Sequence, residues 1–176
     1  LTMGYYKTDL IPLAALAKKY TLCDHFFHRA FGCSFLNHQW LIAAATPVFP
    51  DASPTIRARL DASGKMISDG LVTPDGYVVN TSYSVNSPHP SDEPVDRLVP
   101  NQTNPTIGDR LSEKGISWAW YAGGWDSAMA GRPDSTFSFH HQPFVYFANY
   151  ADGKPARKEH LKDETDYLEA ARTGHL

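Results

Sequence analysis

Apolar and polar positions follow several distinct periods along these 176 residues, and each period predicts its own element. Leu13, Leu16 and Ala17 share a helical face with Leu10 beside it, so a helix is predicted over 9–19. Thr8 or Asp9 can cap it, Pro12 suits its first turn, and Lys18 and Lys19 suit its last. From Leu36 to Ala45 the run is almost continuously apolar around Trp40, Leu41 and Ile42. That predicts a buried helix over about 35–45, packed on a sheet and ended by Pro47. Residues 49–62 turn polar, and Arg57, Arg59 and Asp61 predict an exposed segment. Residues 70–80 read as a strand pair about Pro74-Asp75-Gly76.

The stretch 81–105 has no period, only Ser, Asn and Pro. It predicts a long irregular excursion, either beside a site or as a subdomain crossing. Thr106 with Asp109 three residues on has the form of a capping box, opening a helix through Leu111 to a stop at Gly115. Ile116 to Ala122 then reads as a strand, so helix, glycine and strand make half of an α/β unit. Gly123-Gly124-Trp125-Asp126 leaves the carboxyl end of that strand, where open α/β sheets place ligands. His140 to Phe147 predicts a short aromatic helix with Pro143 early in it, and 154–176 a charged, solvated face.

Composition narrows the classes. Sixteen Lys and Arg against 19 Asp and Glu leave a net charge of −3 with no basic stripe, which argues against nucleic acid as a partner. No apolar run reaches the roughly 18 residues of a membrane span. Thirteen prolines and 12 glycines beside 9 phenylalanines, 9 tyrosines and 4 tryptophans predict ordered loops over a real core. The two cysteines, Cys23 and Cys33, allow one disulfide or two inert thiols. With His25 and His28 they lack the paired spacing of a closed zinc site.

The chemistry concentrates between Leu22 and Thr46. Phe31-Gly32-Cys33-Ser34 reads as a tight turn entering the apolar helix, with Gly32 free to take positive φ or to let other atoms come close. Ser34 then lies where unpaired amides and the helix dipole favour an anion. Its hydroxyl can cap the helix or attack a phosphorus held by the same amides. Asn37, nearly one turn on, either points toward the same pocket mouth or bonds a neighbouring loop. His38 is a packed imidazole or a pocket residue, and of His140 and His141 at most one can face a given site.

Ala30-Phe31-Gly32 followed by Ser34-Phe35-Leu36-Asn37-His38 resembles the nucleophile segment of the bacterial acid phosphatase and phospholipase C family, in the alkaline phosphatase superfamily. The likeness continues through residues 1–6, 23–27, 106–111, 123–125 and 140–144. The serine, where the phospholipase C branch has threonine, resembles the acid phosphatase branch; Cys33 stands where the family usually has a second glycine. This resemblance implies one incomplete α/β domain over 1–176, part of a three-layer sandwich with a largely parallel sheet. It implies hydrolysis of phosphate monoesters, and of phospholipid headgroups in some relatives, through a phospho-serine on Ser34. Asn37 would contact the phosphoryl group, while His38, His140 and His141 would line the substrate pocket.

A divalent metal is implied as cofactor, with Ser34 its ligand on the nucleophile side. Its remaining ligands are expected from segments outside this chain, before Leu1 and beyond Leu176. His160 to Asp163 resembles a segment feeding a further strand. Exposed sheet edges and self-association are expected where neighbouring strands belong. The resemblance also implies a periplasmic or secreted protein. A truncated or degenerate module, binding a phosphorylated ligand or a protein without turnover, is the alternative. A metal-free enzyme using Ser34 with His38 or His141 is a third reading.

Overall fold

The buried apolar surface gathers around one helix and a run of tight turns in the computed structural model, which describes residues 11–175. Helix α1 spans Pro12–Lys19, with proline in its first turn and Lys18 and Lys19 in its last. It buries none of its residues, and Leu13 and Leu16 remain exposed. An α/β layer would place such a helix beside the sheet, and α1 does not pack there; Thr8 and Asp9 lie outside the described residues.

Helix α2, Ser34–Ala43, is the central element. Phe35, Leu36, Gln39 and Ile42 form its buried stripe, whereas Leu41 faces solvent. The near-continuous apolar run overstated its burial for that reason. It stops before Pro47 because Ala44 turns left-handed at φ 50°, a strained conformation for a residue with a Cβ. The stripe packs not on a sheet but on 3-10 turns at Phe139–His141 and Pro143–Tyr146, with the helix at Ile107–Glu113 also in contact. Phe35 lies against Tyr146 with ring centroids 5.5 Å apart, and both are wholly buried.

Residues 140–147 form 3-10 turns rather than the expected helix. Pro143 has no N–H to continue a ladder, and Gln142 between the turns departs from helical dihedrals at φ −103° and ψ 73°. A third such turn, Ala148–Tyr150, follows. Between them they place Phe144, Val145, Tyr146, Phe147 and Tyr150 in the core.

Strand content is small. Strand β1, Arg59–Leu60, pairs antiparallel with β2, Met66–Ser68, about a turn in which the Asp61 carboxylate accepts from Ser63 and Lys65 amides. The Pro74-Asp75-Gly76 turn brings Val72 opposite Val78, with Gly76 at φ 93°. Helix α3, Ile107–Glu113, opens on a complete capping box between Thr106 and Asp109. Strand β3, Trp120–Ala122, follows, then α4, Trp125–Met129, and α5, Pro155–His160. Strand β4, Leu161–Asp163, pairs parallel with β3, and α6, Glu164–Thr173, closes the described chain.

Among the described residues, the fold is thus α/β with one small parallel and one small antiparallel sheet. No three-layer sandwich and no predominantly parallel sheet forms. Ile116 to Ala119 does not join β3, and one of its backbone groups, the Trp118 carbonyl, is taken by a side chain instead. His160 Nδ1 lies 3.0 Å from the Trp118 carbonyl, and Trp118 Nε1 donates to Ser112 Oγ at 2.9 Å. The segment expected to feed a further strand is itself β4, and the charged tail is a helix with its own capping box between Asp163 and Asp166.

Within residues 81–105, Ser82, Ser84, Asn86, Leu98, Val99 and Gln102 are buried, and isolated backbone bridges together with side-chain bonds take the place of a sheet. Gln102 bonds both the N–H and the carbonyl of Val48, at 2.8 and 3.0 Å. Asn86 and Ser84 donate to the Val145 carbonyl at 2.7 and 2.8 Å. Buried polar groups of this kind must be paired, and the pairing fixes the floor beneath α2.

Candidate active site

The turn into α2 is held from within the helix. Asn37 accepts from the Ala30 N–H at 3.2 Å and donates to the carbonyls of Ala30 and Gly32 at 3.1 Å and of Cys33 at 3.3 Å. Its amide therefore ties residues 30–33 to the helix. Gly32 does not take positive φ; it leaves room for Leu36, whose Cδ2 would lie 2.9 Å from a Cβ there and would have to shift. Cys33, in extended conformation, is the cap residue and makes no side-chain cap bond. Ser34 is the first helical residue, so its hydroxyl is not spent on capping.

That hydroxyl has a partner from the other end of the chain. His141 Nε2 lies 2.9 Å from Ser34 Oγ. One turn along α2, His38 Nδ1 lies 2.7 Å from the Ser34 carbonyl, where it must donate. The rings of His38 and His141 are stacked, with centroids 4.6 Å apart and planes 17° from parallel. His140 meets His141 edge-on at 4.4 Å and turns toward Tyr83, so only His141 of the adjacent pair reaches Ser34.

Burial, and then the nearby His38, hold His141 below the ordinary histidine value. His140 is lowered by burial first and by His141 and His38 after it. The imidazole facing Ser34 thus stays neutral into acid and can accept the hydroxyl proton. The amides of the first turn of α2 and its dipole offer a seat for the oxygens of a phosphoryl group.

His38 is the wall between two clefts. One, of about 410 Å³, holds Ser34 and Asn37 with Phe26, Phe27 and Trp40. The other, of about 480 Å³, holds His141 with Trp120, Gly123, Gly124 and Glu164. The glycine pair at the end of β3 therefore lines the cleft of His141, across His38 from Ser34, and Glu164 fixes it by accepting from the Gly124 N–H.

A divalent ion beside Ser34 does not fit these residues. Among the described residues no three or more His, Cys, Asp or Glu converge on one point. Nδ1 of His38 is also already committed to a carbonyl. Cys23 and Cys33 are free and exposed.

The model of the phosphoesterase family matches residues 1–171. The chain belongs to the phosphoesterase family. No curated protein and no solved structure matches it. The sequence singled out Ser34, Asn37, His38, His140 and His141, and four of these five gather at the turn into α2 or on the imidazole facing it. Glu164 was missed as a site residue. Its signal was indirect, since it begins the helix that Asp163 caps and so points back at the glycine pair.

Proposed function

We propose that this phosphoesterase hydrolyses phosphate monoesters in the manner of the acid phosphatase branch, through a phospho-serine on Ser34. The 2.9 Å pairing of Ser34 Oγ with His141 Nε2 carries the reading. His141 takes the hydroxyl proton as Oγ attacks phosphorus. The bond from phosphorus to the ester oxygen breaks, and the departing alcohol takes its proton from the substrate monoanion or from water. Water then attacks the phospho-serine and loses a proton to solvent. The Oγ–phosphorus bond breaks, Ser34 recovers its proton from His141, and inorganic phosphate leaves.

The first-turn amides of α2 stabilise charge on the phosphoryl oxygens throughout. His38 orients His141 by stacking and keeps a second positive charge unfavourable beside it. Asn37 acts on the same site by holding the turn. The family resemblance implies a divalent cation, but no step here is routed through one, because the described residues do not fit it. Location in the periplasm or outside the cell is proposed on the resemblance alone.

A second reading is a module that binds a phosphorylated ligand without turnover. It is favoured by the Asn37 donors, which lie on backbone carbonyls in place of facing the cleft. Hydrolysis of phenyl phosphate by the purified chain, beside Ser34→Ala, separates the two. The first reading expects turnover that the substitution abolishes. Phosphate binding without turnover, with divalent ions or with chelator, sinks it and leaves the second.

A further inference from the structure

Ser34 opens on a cleft whose remaining walls are unlike a site for a sugar or a glycerol. Phe26, Phe27, Trp40 and Leu41 line it together with His28, Arg29 and His38, and the volume is about 410 Å³. Arg29, in the same wall, holds its guanidinium 5.5 Å from the Trp40 ring. Leu41 is 55% exposed and the two phenylalanines 75% and 76%, so apolar surface stands open to water directly beside the nucleophile. Free energy is gained when a bound group covers such surface.

We infer that this cleft is the leaving-group subsite and that it selects phosphate esters of aromatic alcohols. The inference rests on the proposed function for the position of the phosphorus. With phosphorus at Ser34, the alcohol part of the ester lies along the phenylalanine and tryptophan walls. Flat rings match those walls, because aromatic pairs gain from offset or edge contact beyond the area they bury. A planar guanidinium over an indole adds a face on which a further ring can stack. Hydroxyl-rich alcohols lose water against the aromatic and aliphatic faces, and the polar groups there, His28 and Arg29, are fewer than the hydroxyls of a sugar would need. Asn37, the obvious polar partner in the wall, is tied to residues 30–33.

Two esters separate ring area from leaving-group chemistry. Naphthyl and phenyl phosphate release phenols of similar acidity, so the ratio of their kcat/KM reads the cleft and not the bond being broken. A ratio of about fivefold or more in favour of naphthyl is expected, from the extra ring carbons buried. Phe27→Ala and Phe26→Ala should each bring it close to unity, and both side chains are exposed enough for the chain to fold without them.

Binding provides an arm that needs no turnover. Naphthyl phosphonate should bind about tenfold more tightly than methyl phosphonate in calorimetry, in the native chain and in Ser34→Ala alike. Equal affinities for the two phosphonates overturn the inference, and so does an octyl phosphonate that binds more tightly than the naphthyl compound, which would mark a site for an aliphatic chain. Aromatic preference in binding with no hydrolysis of any ester would sustain the subsite and refute the proposed function.

Discussion

Replacing His141 by alanine removes the group that accepts the Ser34 proton and leaves the core beneath it in place. The lost contact is a normal hydrogen bond of 2.9 Å between Nε2 and Oγ, together with one ring stacked on His38 at 4.6 Å. His141 is only partly buried, so the cost to folding is roughly 1 kcal/mol, one hydrogen bond and one aromatic contact. A positioned general base contributes about a hundredfold to ten-thousandfold in rate, or roughly 3–5 kcal/mol of barrier. The substitution should therefore lower kcat/KM for phenyl phosphate by at least about a hundredfold, with thermal unfolding shifted by only a few degrees.

The pH dependence adds a second, independent reading. The base works as the neutral imidazole, and kcat/KM reports the free enzyme. Because burial, and then His38, hold its pKa below the ordinary histidine value of about 6.5, the neutral form persists below that pH. Activity should hold as pH falls through 6.5 and drop only beneath it. His38→Gln removes the neighbouring charge and should carry this acid limb back upward. A kcat/KM for His141→Ala within a few-fold of the native value, with the same acid limb, would refute the assignment.

Asn37→Ala frees residues 30–33 from α2 and removes donors to three carbonyls. It should reduce kcat by about tenfold or more, since small misplacements of a nucleophile are costly; an unchanged kcat would mean the turn holds itself. Gly108→Ala should destabilise the fold by roughly 1–3 kcal/mol, read as a lower Tm, because overpacking is paid in displaced neighbours. The new Cβ would lie 2.4 Å from Trp118 Cη2 and Cζ2 and 2.9 Å from Tyr150 Oη, in a network that also binds Asp109. An undiminished Tm would show that Trp118 moves freely.

Local signals in the chain were good where a short segment decides its own conformation. The Thr106–Asp109 box, the Gly115 stop and the Pro74-Asp75-Gly76 turn all depend on residues within a few positions of one another. Sheet content was not legible, because what replaces a ladder is long-range and carried by side chains. Gln102 pairs with Val48, and His160 takes the Trp118 carbonyl, neither of which any period reveals. The candidate site divides in the same way. Ser34, Asn37 and His38 share one helix and could be read together. The meeting of His141 with Ser34 spans 107 positions and is decided by the 3-10 turns that Pro143 and the aromatic core impose. The family resemblance pointed to residues 140–144; only the fold gives His141 the hydroxyl and turns His140 away.

The most direct test of the central claim is acid quenching of the chain during turnover of a phosphate monoester, followed by peptide mass spectrometry. The account predicts a phosphoryl group on Ser34, absent from Ser34→Ala and formed far more slowly in His141→Ala. Turnover with no phosphoryl-enzyme, or with the phosphoryl group on His141, would contradict it.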